Sequence, residues 1–145
     1  MKSNHRHENE KRLAAMQHRA RDLVWQNSVW CTESDISTER GKATSYTERQ
    51  LRHWKSQRKI FSLTINDRAI YPYYAFDSKN RFLPLPALAF IIKILSEKRD
   101  DWGMAYWFAA PNGWLRGARP QDVLASNPAL VIAAARIEVM GVMHG

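Results

Sequence analysis

The chain has 145 residues and a mass of 16.9 kDa, enough for one compact domain or two small modules sharing a core, which excludes a large multidomain enzyme. Hydrophobic residues make up 45% of the chain and aromatic residues 11%, so a globally disordered protein is also excluded. The net charge of +8 is uneven: residues 1–60 hold 13 Lys or Arg against 7 Asp or Glu, and residues 61–145 hold 9 against 7. The basic first half predicts a polyanionic partner, with a merely solvated basic surface as the alternative.

Cysteine usage and hydropathy bear on the compartment. The single cysteine, Cys31, cannot close an intrachain disulfide, and one cysteine with five histidines offers few ways to build a zinc site. Residues 1–10 are polar where a secretory signal would be apolar, and the apolar stretch 82–95 is interrupted and too short to span a bilayer. The sequence therefore predicts a cytoplasmic protein with no metal, no cofactor and no membrane partner.

The first element is predicted to be an amphipathic helix within a basic arm, residues 1–27. Residues 8–25 lack Pro and Gly, and an apolar stripe recurs at steps of three and four, formed by Leu13, Met16, Ala20 and Leu23. Such a stripe packs on its own domain or pairs with a second copy, and packing within the domain is the commoner outcome.

Residues 28–80 predict two short helices followed by a β-hairpin. The first helix begins at Thr32 or Ser34, is anchored by Ile36 and ends at Gly41. After a turn over 42–45, the second helix runs from about residue 46 to 56 with Gln50 or Leu51 and Trp54 facing inward. The chain then alternates apolar and other residues over 60–65, turns at Asn66-Asp67 and returns in an apolar strand, which predicts a β-hairpin. Pro72 suits an edge of that hairpin.

A helix-turn-helix followed by a hairpin is the order of a winged helix-turn-helix, in which the second helix enters the major groove of DNA. Any small α+β domain can show the same elements, and that structural alternative stays open. The polar, mostly cationic side chains of the second helix and the hairpin are the candidate DNA contacts: Ser45, Thr47, Arg49, Arg52, His53, Lys55, Arg58, Lys59 and Arg68.

Residues 81–145 predict a helical module, so the fold class is mainly α with a small β-hairpin (α+β). Apolar helices are expected over 87–98, from Asp100-Asp101 to 110, and after Asn127-Pro128 to 143. The last helix is apolar on nearly every face, which predicts a homodimer or a protein partner held by Val131, Ile132, Val139, Met140 and Met143. A position at the centre of its own domain is the alternative.

Residues 107–124 carry a motif, WFAAPNGWLRGARPQDVL, that resembles the C-terminal module of Xre/MbcA/ParS-type antitoxins. The matching residues, in order, are Phe108, Pro111, Asn112, Trp114, Leu115, Gly117, Pro120 and Leu124. The physical reading is that Pro111 ends a helix, Asn112 caps the next turn, Gly117 allows a bend with positive φ, and Pro120 begins a helix. The segments at 47–63 and 69–77 are similar to DNA-binding segments that precede this module, although relatives often have glycine where this chain has Arg58.

The resemblance implies an antitoxin-like or regulatory protein that binds DNA with one half and a partner with the other. In the best-described systems that partner is a RES-domain toxin. An enzyme is the disfavoured class, because the histidines form no catalytic motif and Asp100-Asp101 suits a helix N-terminus better than an acid pair. Duplex DNA, a second copy of the chain and a RES-like toxin are thus the expected partners.

Overall fold

The computed structural model describes residues 2–144, with side chains from residue 5 to residue 141. The elements of this part of the chain are α1 (Lys2–Asn27), β1 (Trp30–Cys31), α2 (Glu33–Arg40), α3 (Thr44–Ser56), β2 (Leu63–Ile65), β3 (Arg68–Pro72), β4 (Phe76–Asp77), β5 (Leu83–Pro84), α4 (Pro86–Leu95), α5 (Asp101–Ala109), α6 (Pro120–Val123) and α7 (Pro128–His144). Single 3-10 turns lie at Tyr73–Ala75 and Gly113–Leu115. The predicted fold class, mainly α with a small β-hairpin, is confirmed.

The first half combines helices α1 to α3 with a small antiparallel sheet. Strand β3 lies in the middle of a three-stranded antiparallel sheet of order β1-β3-β2, with Leu63 opposite Ile70 and Trp30 opposite Pro72. The expectation that Pro72 lies on an edge strand is wrong, because β1 pairs with the far side of β3. A proline is tolerated there because the ladder with β2 ends at the Leu63–Ile70 pair, so the nitrogen of Pro72 faces a side of the sheet where no strand lies opposite it.

Helix ends follow the local signals in the sequence. Thr32 caps α2 in a capping box with Asp35, and Gly41 ends that helix in the left-handed conformation, with φ 65°. The Asp100 carboxylate accepts a hydrogen bond of 2.8 Å from the Gly103 amide, and the Asn127 side chain accepts one of 3.3 Å from the Leu130 amide. These predicted caps are confirmed.

Left-handed backbone also shapes the turns around α3 and the wing. Asn66 and Asp67 have φ of 49° and 63°, which makes the β2–β3 connection a two-residue turn with both central residues left-handed. Arg58, just after α3, has φ 56°. A glycine would adopt that conformation at lower cost.

One hydrophobic core joins the two halves of the chain. Phe108 of α5 is fully buried and packs against Phe61 and Tyr74, with ring centroids 6.1 Å and 4.9 Å apart. Helices α4 and α7 pack against each other, and α1 packs on α5. Aromatic side chains from both halves therefore share one interior.

Only the last turns of α1 belong to that core. Val24 is buried, whereas residues 5–19 are exposed and Leu13 and Met16 each leave more than half of their surface in water. The expectation that the whole apolar stripe packs on the domain is wrong for these two residues, because α1 extends past the side of α5 that it contacts. Over residues 2–144, no helix is both long and apolar enough to cross a lipid bilayer.

Candidate nucleic-acid interface

The turn between α2 and α3 is fixed by hydrogen bonds of Ser37. Its hydroxyl donates to the Lys42 carbonyl at 2.7 Å and lies 3.3 Å from the Thr44 hydroxyl. The Lys42 amide in turn donates to the Ser37 carbonyl at 3.2 Å. Because Ser37 is buried, these bonds hold the two helices at a set angle and so define which face of α3 points outward.

Helix α3 is divided into an apolar inner face and a cationic outer face. Leu51 and Trp54 are buried as predicted. Arg49, Arg52 and His53 are exposed on the opposite side. The predicted start at residue 46 is two residues late, so Ser45 lies in the first helical turn and is exposed.

Thr47 is a wrong candidate. It is fully buried on the inner face, and its hydroxyl accepts a hydrogen bond of 3.4 Å from Nη1 of Arg40. Seven residues separate Thr47 from Trp54, which is almost two helical turns, so the two side chains point to the same face. From this position Thr47 cannot reach a base or a phosphate.

Lys55 and Arg58 lie on the flank of α3 that faces the helical half. Both line a cavity of about 310 Å³ shared with Asp101, and the Arg58 guanidinium donates to the Ser96 hydroxyl at 3.4 Å. Desolvation raises the pKa of Asp101, and the nearby Lys55 and Arg58 oppose that increase. These two cations are exposed but are directed away from the outermost face of α3.

The remaining candidate cations lie on either side of the wing. Lys59 is exposed and borders a pocket with Leu83 and Pro84. Arg68 is exposed at the start of β3, directly after the turn at Asn66 and Asp67. The β2–β3 turn, which we call the wing tip, thus carries the carboxylate of Asp67 next to the guanidinium of Arg68.

Arg52 has acidic neighbours. Burial raises the pKa of Glu33, and the charge of Glu48 and a hydrogen bond between the two side chains raise it further. The positive charge of Arg52 lowers the pKa of Glu33. Burial also raises the pKa of Tyr71 to about 12. Arg49 lies in the middle of the outer face, three residues before Arg52 and four before His53.

Sequence reasoning missed a second cationic group beside α3. Strands β4 and β5 form a hairpin whose loop places Arg81 opposite the α2–α3 turn. A cavity of about 450 Å³, which we call the Arg40 cavity, lies between them. It is lined by Glu39, Arg40, Lys42, Tyr46, Gln50, Ser78, Arg81, Phe82 and Leu83.

A signal for this hairpin was present in the sequence. Residues 77–80, Asp-Ser-Lys-Asn, are turn formers that separate Phe76 from Phe82, and such a run between apolar residues marks a turn. The two-residue strands on either side are too short to show alternation, so the hairpin was not predicted.

The motif residues of the C-terminal half adopt the predicted local geometry. Helix α5 ends two residues before Pro111, and the Asn112 side chain accepts a hydrogen bond of 2.9 Å from the Trp114 amide. Gly117 has φ 83°, and Pro120 is the first residue of α6. Leu115 is buried, whereas Trp114 leaves 64% of its surface exposed.

Helix α7 contributes to the core of its own chain. Val131 and Val139 are buried, so neither is available to a partner in this structure, and their assignment to an interface is wrong. Ile132 is half-buried and Met140 is 57% exposed. The side chain of Met143 lies outside the described residues.

Two residues packed in the interior, Cys31 and Tyr74, have shifted pKa values. Burial raises the pKa of Cys31 to about 11 and moves that of Tyr74 well above its usual value. Within residues 5–141, no group of three or more His, Cys, Asp or Glu side chains is arranged to hold a metal ion. Burial is the largest cause of both pKa shifts, and the charges of Asp35 and Glu39 add to that of Cys31.

Comparison with known proteins identified no relative. No protein family, no curated protein and no solved structure matches the chain.

Proposed function

We propose that the protein is a DNA-binding transcriptional regulator or antitoxin-like protein. Helix α3 and the β2–β3 wing bind duplex DNA, and the helical half binds a second copy or a protein partner. The observation that supports this most is the outer face of α3, where Arg49, Arg52 and His53 are exposed on a helix whose opposite side is fixed in the core. A rigid helix that presents several cations in one direction matches the width and charge of a major groove.

The flanks of α3 extend this positive surface. Lys55 and Arg58 lie on one side, Lys42 and Arg81 lie on the other, and Arg68 follows the wing tip. Cations at these places suit phosphates on both sides of a groove, whereas Arg49 is placed to reach a base edge.

A second candidate is an antitoxin that neutralises a RES-like toxin and binds little DNA. It is supported by exposed apolar side chains in the helical half, namely Trp114, Leu130 and Met140. The two functions are compatible, since they use different surfaces.

The test is the salt dependence of duplex binding, followed by fluorescence anisotropy. If six phosphates are contacted, log K falls against log salt with a slope of about −5. Arg49→Ala is expected to cost roughly 1 to 3 kcal/mol and to relax preference at one base pair. Lys98→Ala, which removes an exposed cation between α4 and α5, is the matched control and is expected to have no effect.

Two results would count against DNA binding by α3. One is an affinity that does not change with salt. The other is an equal loss for Arg49→Ala and Lys98→Ala. Retained binding of a RES-like toxin in either case would favour the second candidate.

A further inference from the structure

Arg40 lies in the wall of the Arg40 cavity, and its guanidinium forms no ion pair with a described carboxylate. Its guanidinium lies 5.2 Å from the ring centre of Trp54 and 5.7 Å from that of Tyr46, and it donates to Gln50 and Thr47. Its Nε is buried and has no hydrogen-bond partner.

Buried polar groups normally have partners, and an unpaired one calls for an explanation. Burial lowers the pKa of Arg40, and the nearby Tyr46 opposes that decrease. The neutral hydrogen bonds and the aromatic rings orient the guanidinium without neutralising it. An anion bound in the cavity would neutralise this charge.

Two more cations face the same space. Lys42 follows the end of α2, and Arg81 reaches in from the β4–β5 loop. Glu39 is the one carboxylate in the lining, so the three cations leave an excess of two positive charges. Tyr46 and Ser78 add hydroxyl groups that can donate hydrogen bonds to an oxyanion.

The β4–β5 loop holds Arg81 there in an unfavourable backbone conformation. Arg81 and Phe82 are consecutive left-handed residues, with φ of 56° and 57°, and neither is glycine. Phe82 is buried and stacks on Phe76, with ring centroids 4.8 Å apart, which anchors the loop in this conformation. Such backbone strain persists only where the surrounding structure enforces it, and it clusters at functional sites.

We propose that the Arg40 cavity binds a phosphate group through Arg40, Lys42 and Arg81. A planar guanidinium and an ammonium converging on one space suit a phosphate better than a monovalent halide, because its oxygens accept several hydrogen bonds at once. A cavity of about 450 Å³ is large enough for a phosphorylated small molecule. It also adjoins α3, where a phosphodiester of bound DNA would lie, and this second source rests on the proposed function.

The experiment compares three variants with the wild type. Lys42→Ala and Arg81→Ala each remove one cation from the cavity, and Arg81→Ala leaves the backbone strain unchanged because alanine also has a Cβ atom. Lys79→Ala removes an exposed cation from the same loop that does not line the cavity, so it is the matched control. Arg40 is left intact because it packs against Trp54, and its removal would affect folding.

The first arm tests free phosphate compounds by isothermal titration calorimetry at constant ionic strength, with pyrophosphate, AMP and adenosine as probes. If the source is a small molecule, pyrophosphate or AMP binds the wild type and Lys79→Ala, adenosine does not, and both cavity variants weaken binding at least tenfold. The second arm measures the salt slope of duplex binding. If the source is DNA, Lys42→Ala and Arg81→Ala each reduce the slope by about 0.9 while Lys79→Ala leaves it unchanged.

A specific loss of binding in either arm supports the phosphate site and shows whether the phosphate belongs to a small molecule or to DNA. The proposal is overturned if neither arm separates the cavity variants from Lys79→Ala. A wild type that binds pyrophosphate or AMP but no DNA would refute the proposed function and leave the phosphate site standing.

Discussion

Burial changes the reactivity expected of Cys31. Its thiol lies in the core beside β3, with only 6% of the residue exposed, and burial together with Asp35 and Glu39 raises its pKa to about 11. At pH 8 the thiolate population is therefore about two orders of magnitude below that of a free cysteine. We expect iodoacetamide to alkylate Cys31 slowly in the native protein and rapidly in urea, as followed by mass spectrometry.

The same shift has a defined effect on stability. Because the neutral thiol is favoured in the folded state, the free energy of unfolding falls as the pH rises from about 9 toward 11. Cys31→Ser, which does not ionise in this range, is the control and should lose less stability over that interval. Rapid alkylation of the native protein at pH 8 would show that the thiol is not held as the structure indicates.

Residues whose role depends only on the backbone within a few positions were predicted correctly from the sequence. Asn112, Asp100 and Gly41 cap or end helices because of bonds and dihedral angles within a few residues. Thr47 was misplaced although the sequence could have shown its position, because it lies seven residues before Trp54 and therefore on the same inward face of α3.

At the scale of elements, the β2–β3 turn gives the clearest prediction. Asp67 has φ 63° at the second central position of the turn, where glycine is preferred. We expect Asp67→Gly to raise the free energy of unfolding by roughly 0.5 to 1 kcal/mol, because the left-handed conformation costs glycine less. Urea denaturation measures this as a higher midpoint at an unchanged slope.

Thr64→Gly in the neighbouring strand is the matched control. Thr64 is exposed and pairs with Ala69 in an extended strand, where glycine is expected to destabilise by a similar amount. If Asp67→Gly also lowered the midpoint, the turn would not have the conformation described here.

Long elements were predictable from sequence, and two-residue strands were not. The inward and outward faces of α3, the apolar runs of α4 and α7 and the turn at Asn66 marked these elements to within a few residues. Strands β1, β4 and β5 have no period of their own, and β1 exists because Trp30 meets Pro72 from a distant part of the chain. The Arg40 cavity depends on one of these short hairpins, so its cations could not be grouped from sequence.

At the scale of the whole molecule, the proposed DNA surface and the helical half are mechanically continuous. Phe108 packs against Phe61, and Arg58 reaches Ser96 at the end of α4. Arg99 then pairs with Glu138 of α7 at 2.5 Å. The contact of Arg58 with Ser96 and the aromatic core around Phe108 therefore join the elements that carry the cations of α3 to the helical half.

The last prediction concerns self-association through α7. Leu130 and Met140 remain exposed on its outer face although Val131 and Val139 are buried, so an apolar strip is left that a two-fold copy would cover on both chains. We expect the wild type to sediment as a dimer at micromolar concentration and Met140→Glu to sediment as a folded monomer. Val139→Glu is expected instead to unfold the chain, because it places a charge in the core. A wild type that is already monomeric would contradict dimerisation, and an unfolded Met140→Glu would show that this residue belongs to the core.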